Sequence, residues 1–171
     1  MKTKLLLVVL FVLTLSGIKA QNPGDAKTDG KSPNVVFAND FLYVTLEKIL
    51  KSSGIEVLDT QPAFLRIYLG KEPKITTYID IDGDKQYLIF NGSNSLKEGT
   101  TPTQAKELVS DINTQTNFIK AGYIQEKNKI EFRYYFWIND GFTEKSLINA
   151  LEMYRITYTY AFSVDKNDLL K

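Results

Sequence analysis

Residues 101–138 read TPTQAKELVSDINTQTNFIKAGYIQEKNKIEFRYYFWI, and this stretch predicts a helix followed by a β-hairpin. Thr101, Pro102 and Gln104 are typical of a helix start, with a capping hydroxyl, a proline in the first turn and a glutamine that completes a capping box. Four apolar residues follow at the i, i+3, i+4 and i+7 spacing of a buried stripe: Ala105, Leu108, Val109 and Ile112. The first part of the stretch therefore predicts a helix that packs one side against a core.

The second part of the stretch predicts two antiparallel strands. Residues 118–124 and 130–138 are rich in aromatic and β-branched residues, and the polar residues 126–129 join them. Side chains alternate between the two faces of a strand, so only one face of the second strand is expected to line the core. One face carries Phe132, Tyr134 and Phe136, and the other carries Arg133, Tyr135 and Trp137.

Arg133, Tyr135 and Trp137 are the candidate partner-binding residues. Large amphipathic rings beside an arginine are enriched among the residues that dominate binding energies. This face is an interaction surface if the helices leave it uncovered. It is ordinary packing if a helix or loop covers it, as happens to most aromatic strand residues.

The residues upstream predict a helix and then an antiparallel meander. Asn39 or Asp40 can cap a helix that ends near Gly54. Its apolar stripe consists of Leu42, Leu46, Ile49 and Leu50. Period-two alternation then predicts strands at 64–69, 75–82 and 87–90, with Asp82 and Gly83 supplying a tight turn.

The residues downstream predict a last helix. Thr143 can cap it, and its apolar side carries Leu147, Ile148, Leu151, Tyr154 and Tyr158. Residues 156–162 are β-branched and aromatic, so propensity alone also permits a strand there, but we predict helix to about Phe162. The order α-β-β-β-α-β-β-α predicts an α+β fold with about five antiparallel strands and three helices.

The beginning of the chain predicts export. Lys2 and Lys4 precede an apolar run from Leu5 to Leu15, and Ala20 is the favoured cleavage site, with Gly17 as the alternative. The run is shorter than the roughly 20 residues of a transmembrane helix, so we predict a signal peptide at 1–20 rather than an anchor. The polar residues 21–34 predict a flexible linker, and 35–171 a single domain.

The composition argues against several classes of function. The sequence has no cysteine and no histidine, which removes disulfides and argues against zinc chemistry and Ser-His or Cys-His hydrolysis. After loss of 1–20, 18 basic residues face 20 acidic ones, a net charge of −2 without a basic block. We therefore expect neither nucleic acid nor a membrane surface as a partner, and no cofactor.

Two groups of carboxylates could have a function other than that of ordinary surface charges. Asp80, Asp82 and Asp84 could chelate Ca²⁺, but the ligand set is incomplete and a polar hairpin tip explains it, so no metal site is predicted. Glu131 with Glu56 or Asp80 could form the carboxylate pair of a glycosidase. Nothing in their spacing selects them, so we interpret them as surface residues and predict no catalytic residue.

Together these features resemble the YbjN domain family. The resemblance is carried by the element order, the helix start at 101–105, the exit of that helix at 113–118, the hairpin at 126–129 and the turn at 138–144. It covers roughly residues 39–162. It rests on pattern and turn residues rather than on a catalytic motif.

The resemblance implies a fold similar to that of the type III secretion chaperones. Such proteins often dimerise and bind extended segments of other proteins, and the YbjN family carries the label of sensory transduction regulator. The export signal separates this chain from a cytosolic chaperone. We therefore expect a secreted or periplasmic, non-enzymatic module that binds a protein segment or a second copy of itself. The alternative is a hydrolase or carbohydrate-binding protein of unknown type.

Overall fold

The computed structural model describes residues 35–36, 43–84 and 86–171. The predicted signal peptide, the linker at 21–34 and the predicted caps Asn39 and Asp40 lie outside these described residues. Within them, no helix is long and apolar enough to cross a membrane.

The described residues form three α-helices, one main sheet and one short two-stranded sheet. The helices are α1 (Tyr43–Ser52), α2 (Pro102–Gln115) and α3 (Glu144–Val164). The strands are β1 (Val35–Val36), β2 (Glu56–Thr60), β3 (Leu65–Leu69), β4 (Ile75–Ile81), β5 (Tyr87–Ser95), β6 (Lys120–Ile124), β7 (Lys129–Trp137) and β8 (Phe142–Thr143). The main sheet has the order β2-β3-β4-β5-β7-β6 and is antiparallel throughout, while β1 pairs with β8.

The predicted α+β class and the three helices are confirmed, and the main sheet has six strands where about five were predicted. The additional strand is β2, which carries a bulge between Val57 and Asp59. A bulge places two residues opposite one and interrupts the alternation by which a strand is recognised in a sequence. The short β1 and β8 also had no counterpart in the prediction.

The helix boundaries follow local sequence signals. The amide of Gln104 donates to the Thr101 hydroxyl at 3.3 Å, and the Thr101 amide donates to Oε1 of Gln104 at 2.9 Å, which is the predicted capping box. Thr143 caps α3 in the same way, with Ser146 as its partner. Residues 156–162 are helical as predicted, and α3 continues to Val164.

The core lies between the three helices and one face of the main sheet. Buried residues from all three helices belong to a single apolar cluster with the inward side chains of the sheet. The ring of Tyr154 in α3 contacts Phe90 with centroids 6.1 Å apart, and that of Tyr158 contacts Phe132 at 4.8 Å. The helices therefore cover this face, and the side chains of the opposite face are left at the surface.

Candidate binding face of the sheet

The uncovered side of the main sheet is the candidate functional site, and we call it the open face. It consists of the outward-pointing side chains of the central strands β4, β5 and β7 and of their neighbours β3 and β6. The register places Asp80 beside Ile89 and Ile89 beside Tyr135. It also places Tyr78 beside Asn91, and Asn91 beside Arg133. The open face is thus a surface of aromatic and polar side chains that crosses several strands.

Three rings on the open face form an aromatic patch: Tyr87, Tyr135 and Trp137. Tyr87 lies directly opposite Trp137 in the register, with ring centroids 5.1 Å apart at 74°. It also contacts Tyr135 at 6.0 Å and 84°. Tyr135 is 45% exposed and Trp137 44% exposed, so nothing in the described chain covers them.

The three predicted contact residues lie on this one face, as their strand parity requires. The sequence prediction missed Tyr87, because the pairing of β5 with β7 brings it between the other two rings. The sequence showed only an aromatic residue at the start of β5. Its partner could be identified only once the register was known.

Arg133 is engaged within the open face. Its Nη2 lies 2.7 Å from Oε2 of Glu131. A hydrogen bond with Tyr135 is the largest of the effects that raise the pKa of the Arg133 guanidinium, and Glu131 adds to it. The arginine is therefore paired with Glu131 beside Tyr135 and is not an unpaired cation.

Asp80 is half-buried on the same face. It accepts a hydrogen bond from the side-chain amide of Asn91. Burial raises the pKa of Asp80, while Asn91 and Arg133 act in the opposite direction. This carboxylate is held by its neighbours and is only partly open to solvent.

The carboxylates considered for hydrolysis are not gathered in a pocket. Asp80 and Glu131 share the open face, whereas Glu56 lies at the sheet edge and pairs with Lys74 at 2.8 Å. The depression beside β6 has a volume of about 280 Å³ and is lined by Glu131, Arg133 and Tyr135, but not by Asp80. Glycoside hydrolysis needs two carboxyl groups that flank one bond. Here Asp80 is hydrogen-bonded to Asn91 and Glu131 is paired with Arg133.

The aspartates at the β4–β5 turn have a structural role. Oδ1 of Asp82 accepts from the amides of Gln86 at 2.6 Å and Tyr87 at 2.9 Å, which closes the turn. Asp80 is bonded to Asn91 one strand away. Among the described residues, no group of three or more acidic side chains is arranged to hold a metal ion.

Both edges of the main sheet are partly blocked. At the β6 edge, the side chain of Asn113 accepts from the amide of Ala121 at 2.8 Å and donates to its carbonyl at 3.0 Å. It thereby occupies the groups that an added strand would use. At the other edge, the bulge in β2 disturbs the ladder, and bulges of this kind disfavour the addition of a further strand.

A second exposed apolar area lies away from the open face. Phe118, Ile156 and Tyr160 line a groove of about 290 Å³ between the end of α2 and the middle of α3. Each of these three side chains is exposed. The groove has aromatic residues but no charged lining residue.

Comparisons with known proteins agree with the fold. A family model named YbjN, described as "Putative bacterial sensory transduction regulator", matches residues 43–162. The crystal structure of "YbjN, a putative transcription regulator from E. coli" is similar at a TM-score of 0.64 and 15% identity, over 81% of this chain and 99% of that chain. At such low identity the likeness shows the fold alone. No curated protein matches the chain by sequence.

Proposed function

This chain belongs to the YbjN family, and from that premise we propose that it is an exported, non-enzymatic module that binds an extended segment of another protein across its open face. The family is described as regulatory, which is compatible with binding rather than catalysis. The contact residues would be Arg133, Tyr135 and Trp137, completed by Tyr87.

The exposed aromatic patch is the observation that carries this proposal. Burial of one large apolar side chain is worth roughly 1.5–3 kcal/mol, so the exposed parts of Tyr135 and Trp137 are available to stabilise a complex. Aromatic residues beside arginine are also the composition that dominates measured binding energies. The open face has both, on rigid strands rather than on a loop.

The face is favoured over the sheet edges as the docking site. Strand addition needs a row of free backbone groups along an edge. Asn113 already occupies those of Ala121 in β6, and the bulge interrupts β2. An extended segment would therefore lie over the side chains of β4, β5 and β7.

Export is the second part of the proposal. It is supported by the sequence of residues 1–20, where two lysines, an apolar run and a small residue follow one another as in a signal peptide. The site of action would then be the periplasm or the exterior of the cell. A second copy of the chain is the competing occupant of the open face, and light scattering of the intact protein over a range of concentrations would detect it.

A random peptide library displayed on phage and selected against the intact protein tests the binding function. The selected peptides are then measured against Tyr135→Ala, Trp137→Ala and the control Tyr160→Ala, which removes a similarly exposed ring (48%) outside the open face. We expect the affinity for the selected peptides to fall about tenfold or more in the first two variants and to stay unchanged in the control. Peptides indifferent to Tyr135 and Trp137, or a stable dimer that buries the open face, would overturn the proposal.

A further inference from the structure

The aromatic patch and its neighbours also indicate which chemistry the bound segment carries. We propose that the patch receives a lysine or arginine side chain, so that the partner segment is basic. This inference rests on the proposed function, because it assigns a ligand class to the same face.

The aromatic rings offer a cation a favourable surface. The face of an aromatic ring carries negative potential, and Trp attracts cations most strongly of the three aromatic residues. Tyr135 and Trp137 both stand nearly perpendicular to Tyr87 and keep almost half of their surface exposed. A positively charged group can therefore approach the rings from solvent.

The charges at the Trp137 end of the patch are negative, whereas Arg133 and Lys120 lie at its Tyr135 end. Nε1 of Trp137 donates to Oδ2 of Asp140 at 3.1 Å, which places a carboxylate against the edge of the indole. The carboxylate of Asp82 lies at the backbone amide of Tyr87, 2.9 Å away. Within the described residues, no lysine or arginine forms an ion pair with Asp140 or Asp82. Lys85, in the same turn, lies outside them.

The same sheet already holds a lysine in this manner elsewhere. Nζ of Lys74 lies 5.0 Å from the ring centroid of Tyr68 and 2.8 Å from Oε2 of Glu56. That arrangement is one aromatic ring, one carboxylate and one ammonium group. Trp137 and Asp140 reproduce the ring and the carboxylate, and the partner would supply the cation.

Other segments fit the patch less well. An acidic segment would need a cation next to Trp137, but the cations of this face lie at the Tyr135 end, where Arg133 is already paired with Glu131 and Lys120 lines the depression beside β6. A purely apolar segment would remove water from the Asp140 carboxylate without replacing it, which is unfavourable for a charged group. A lysine or arginine satisfies the carboxylate and the rings together.

The fluorescence of Trp137, the single tryptophan of the sequence, provides a direct measurement. The intact protein is titrated with short synthetic peptides of equal length and sequence that carry lysine, arginine, glutamine or glutamate at the same positions. We expect the lysine and arginine peptides to bind about tenfold more tightly than the glutamine peptide. Salt at about 0.3 M should weaken their binding, because these charges are near the surface.

A charge-matched pair of variants checks the role of Asp140. Asp140→Asn should lower the affinity for the lysine peptide by about threefold to tenfold and leave the affinity for the glutamine peptide unchanged. Asp111→Asn removes the same charge from an exposed position of α2 and should leave the affinity for both peptides unchanged. Equal binding of the lysine, glutamine and glutamate peptides would overturn the inference.

The two proposals fail in different ways. If the phage-selected peptides depend on Trp137 but contain no excess of lysine or arginine, the basic segment is wrong and the binding function stands. If no selected peptide depends on Trp137, both proposals are wrong.

Discussion

Gly92 in β5 determines how closely α3 can approach the sheet. A Cβ atom at this position would lie 2.8 Å from the hydroxyl oxygen of Tyr154 and 3.3 Å from the carbonyl oxygen of Thr76. Neither neighbour is free to move, since Tyr154 is fully buried and the Thr76 carbonyl belongs to the backbone of β4. The glycine therefore makes room for the tyrosine that closes the core.

Gly92→Ala should lower the free energy of unfolding by about 1–3 kcal/mol, because the added methyl group overpacks the contact with Tyr154. Gly122→Ala is the matched control, since a Cβ at Gly122 meets nothing within 4 Å. Denaturant unfolding of both variants provides the measurement. Equal midpoints for Gly92→Ala and the wild type would show that the helix can move away from the sheet without cost.

The buried tyrosines of α3 should make stability depend on pH in the alkaline range. Burial raises the pKa of Tyr158 to about 12 and that of Tyr154 well above its ordinary value. An unfolded tyrosine loses its proton near pH 10, so between about pH 10 and 12 the unfolded state binds fewer protons than the folded state. Stability should therefore be complete below about pH 10 and fall as the pH rises above it.

Tyr158→Phe removes one titrating group and should make this alkaline decline less steep, as followed by urea unfolding at a series of pH values. The hydroxyl of Tyr158 donates to Oδ1 of Asn94, so the variant also loses a hydrogen bond at neutral pH. Asn94→Ala loses the same bond but keeps the titrating hydroxyl, and should retain the wild-type slope. If stability fell equally steeply with pH in both variants, the alkaline decline would not come from Tyr158.

The residues of the candidate site could be predicted from the sequence only by the alternation of side chains along a strand. Alternation along β7 places Arg133, Tyr135 and Trp137 on one side, and the structure agrees. Parity does not say which side the helices cover, because aromatic side chains occupy both faces of this strand. Tyr87 could not be predicted, since its contact with Trp137 depends on pairing between strands far apart in the sequence.

At the scale of elements, the β6 edge is protected by a side chain of the helix beside it. The side-chain amide of Asn113 makes the two hydrogen bonds that one residue of an additional strand would make. Its oxygen accepts from the Ala121 amide, and its nitrogen donates to the Ala121 carbonyl. Buried or half-buried backbone groups are expensive to leave without partners. α2 therefore contributes a polar anchor to the sheet in addition to its apolar stripe.

Asn113→Ala should reduce stability by about 1–3 kcal/mol and accelerate hydrogen exchange at the Ala121 amide, because that amide loses its acceptor. Asn113→Asp keeps the acceptor for this amide and loses the donor to the carbonyl, so its exchange rate should change less. Hydrogen exchange followed by NMR measures both. Unchanged protection of Ala121 in the alanine variant would mean that another protein group replaces Asn113 as the acceptor.

Elements with local signals were predicted, and elements with tertiary causes were not. The capping boxes at Thr101 and Thr143 specify where α2 and α3 begin, because they satisfy the first amides of each helix. The bulge at Val57 hides β2, since it shifts the alternation within a strand of five residues. Residues 156–162 are helical despite their β propensity because they continue a helix whose buried side packs on the sheet.

At the scale of the whole molecule, the described residues cover the main sheet on one side only. All three helices contribute to the same core, so the opposite face depends on water or a partner for its contacts. The sequence predicts the two layers, since its helices each have one apolar stripe. It does not predict that every helix lies on the same side, which depends on the handedness and length of the connections.

Export can be tested on the complete chain. Expressed in a bacterium with a periplasm, the protein should appear outside the cytoplasm with Gln21 as its first residue, as mass spectrometry of the purified product would show. Val9→Lys places a charge in the apolar run of residues 5–15 and should keep the protein in the cytoplasm with its full mass, because insertion of that run requires an uninterrupted apolar segment. Val9→Ala, which shortens the same side chain without adding charge, should still be exported. A wild-type chain that stays in the cytoplasm and retains residues 1–20 would contradict export, and the partner would then have to be sought inside the cell.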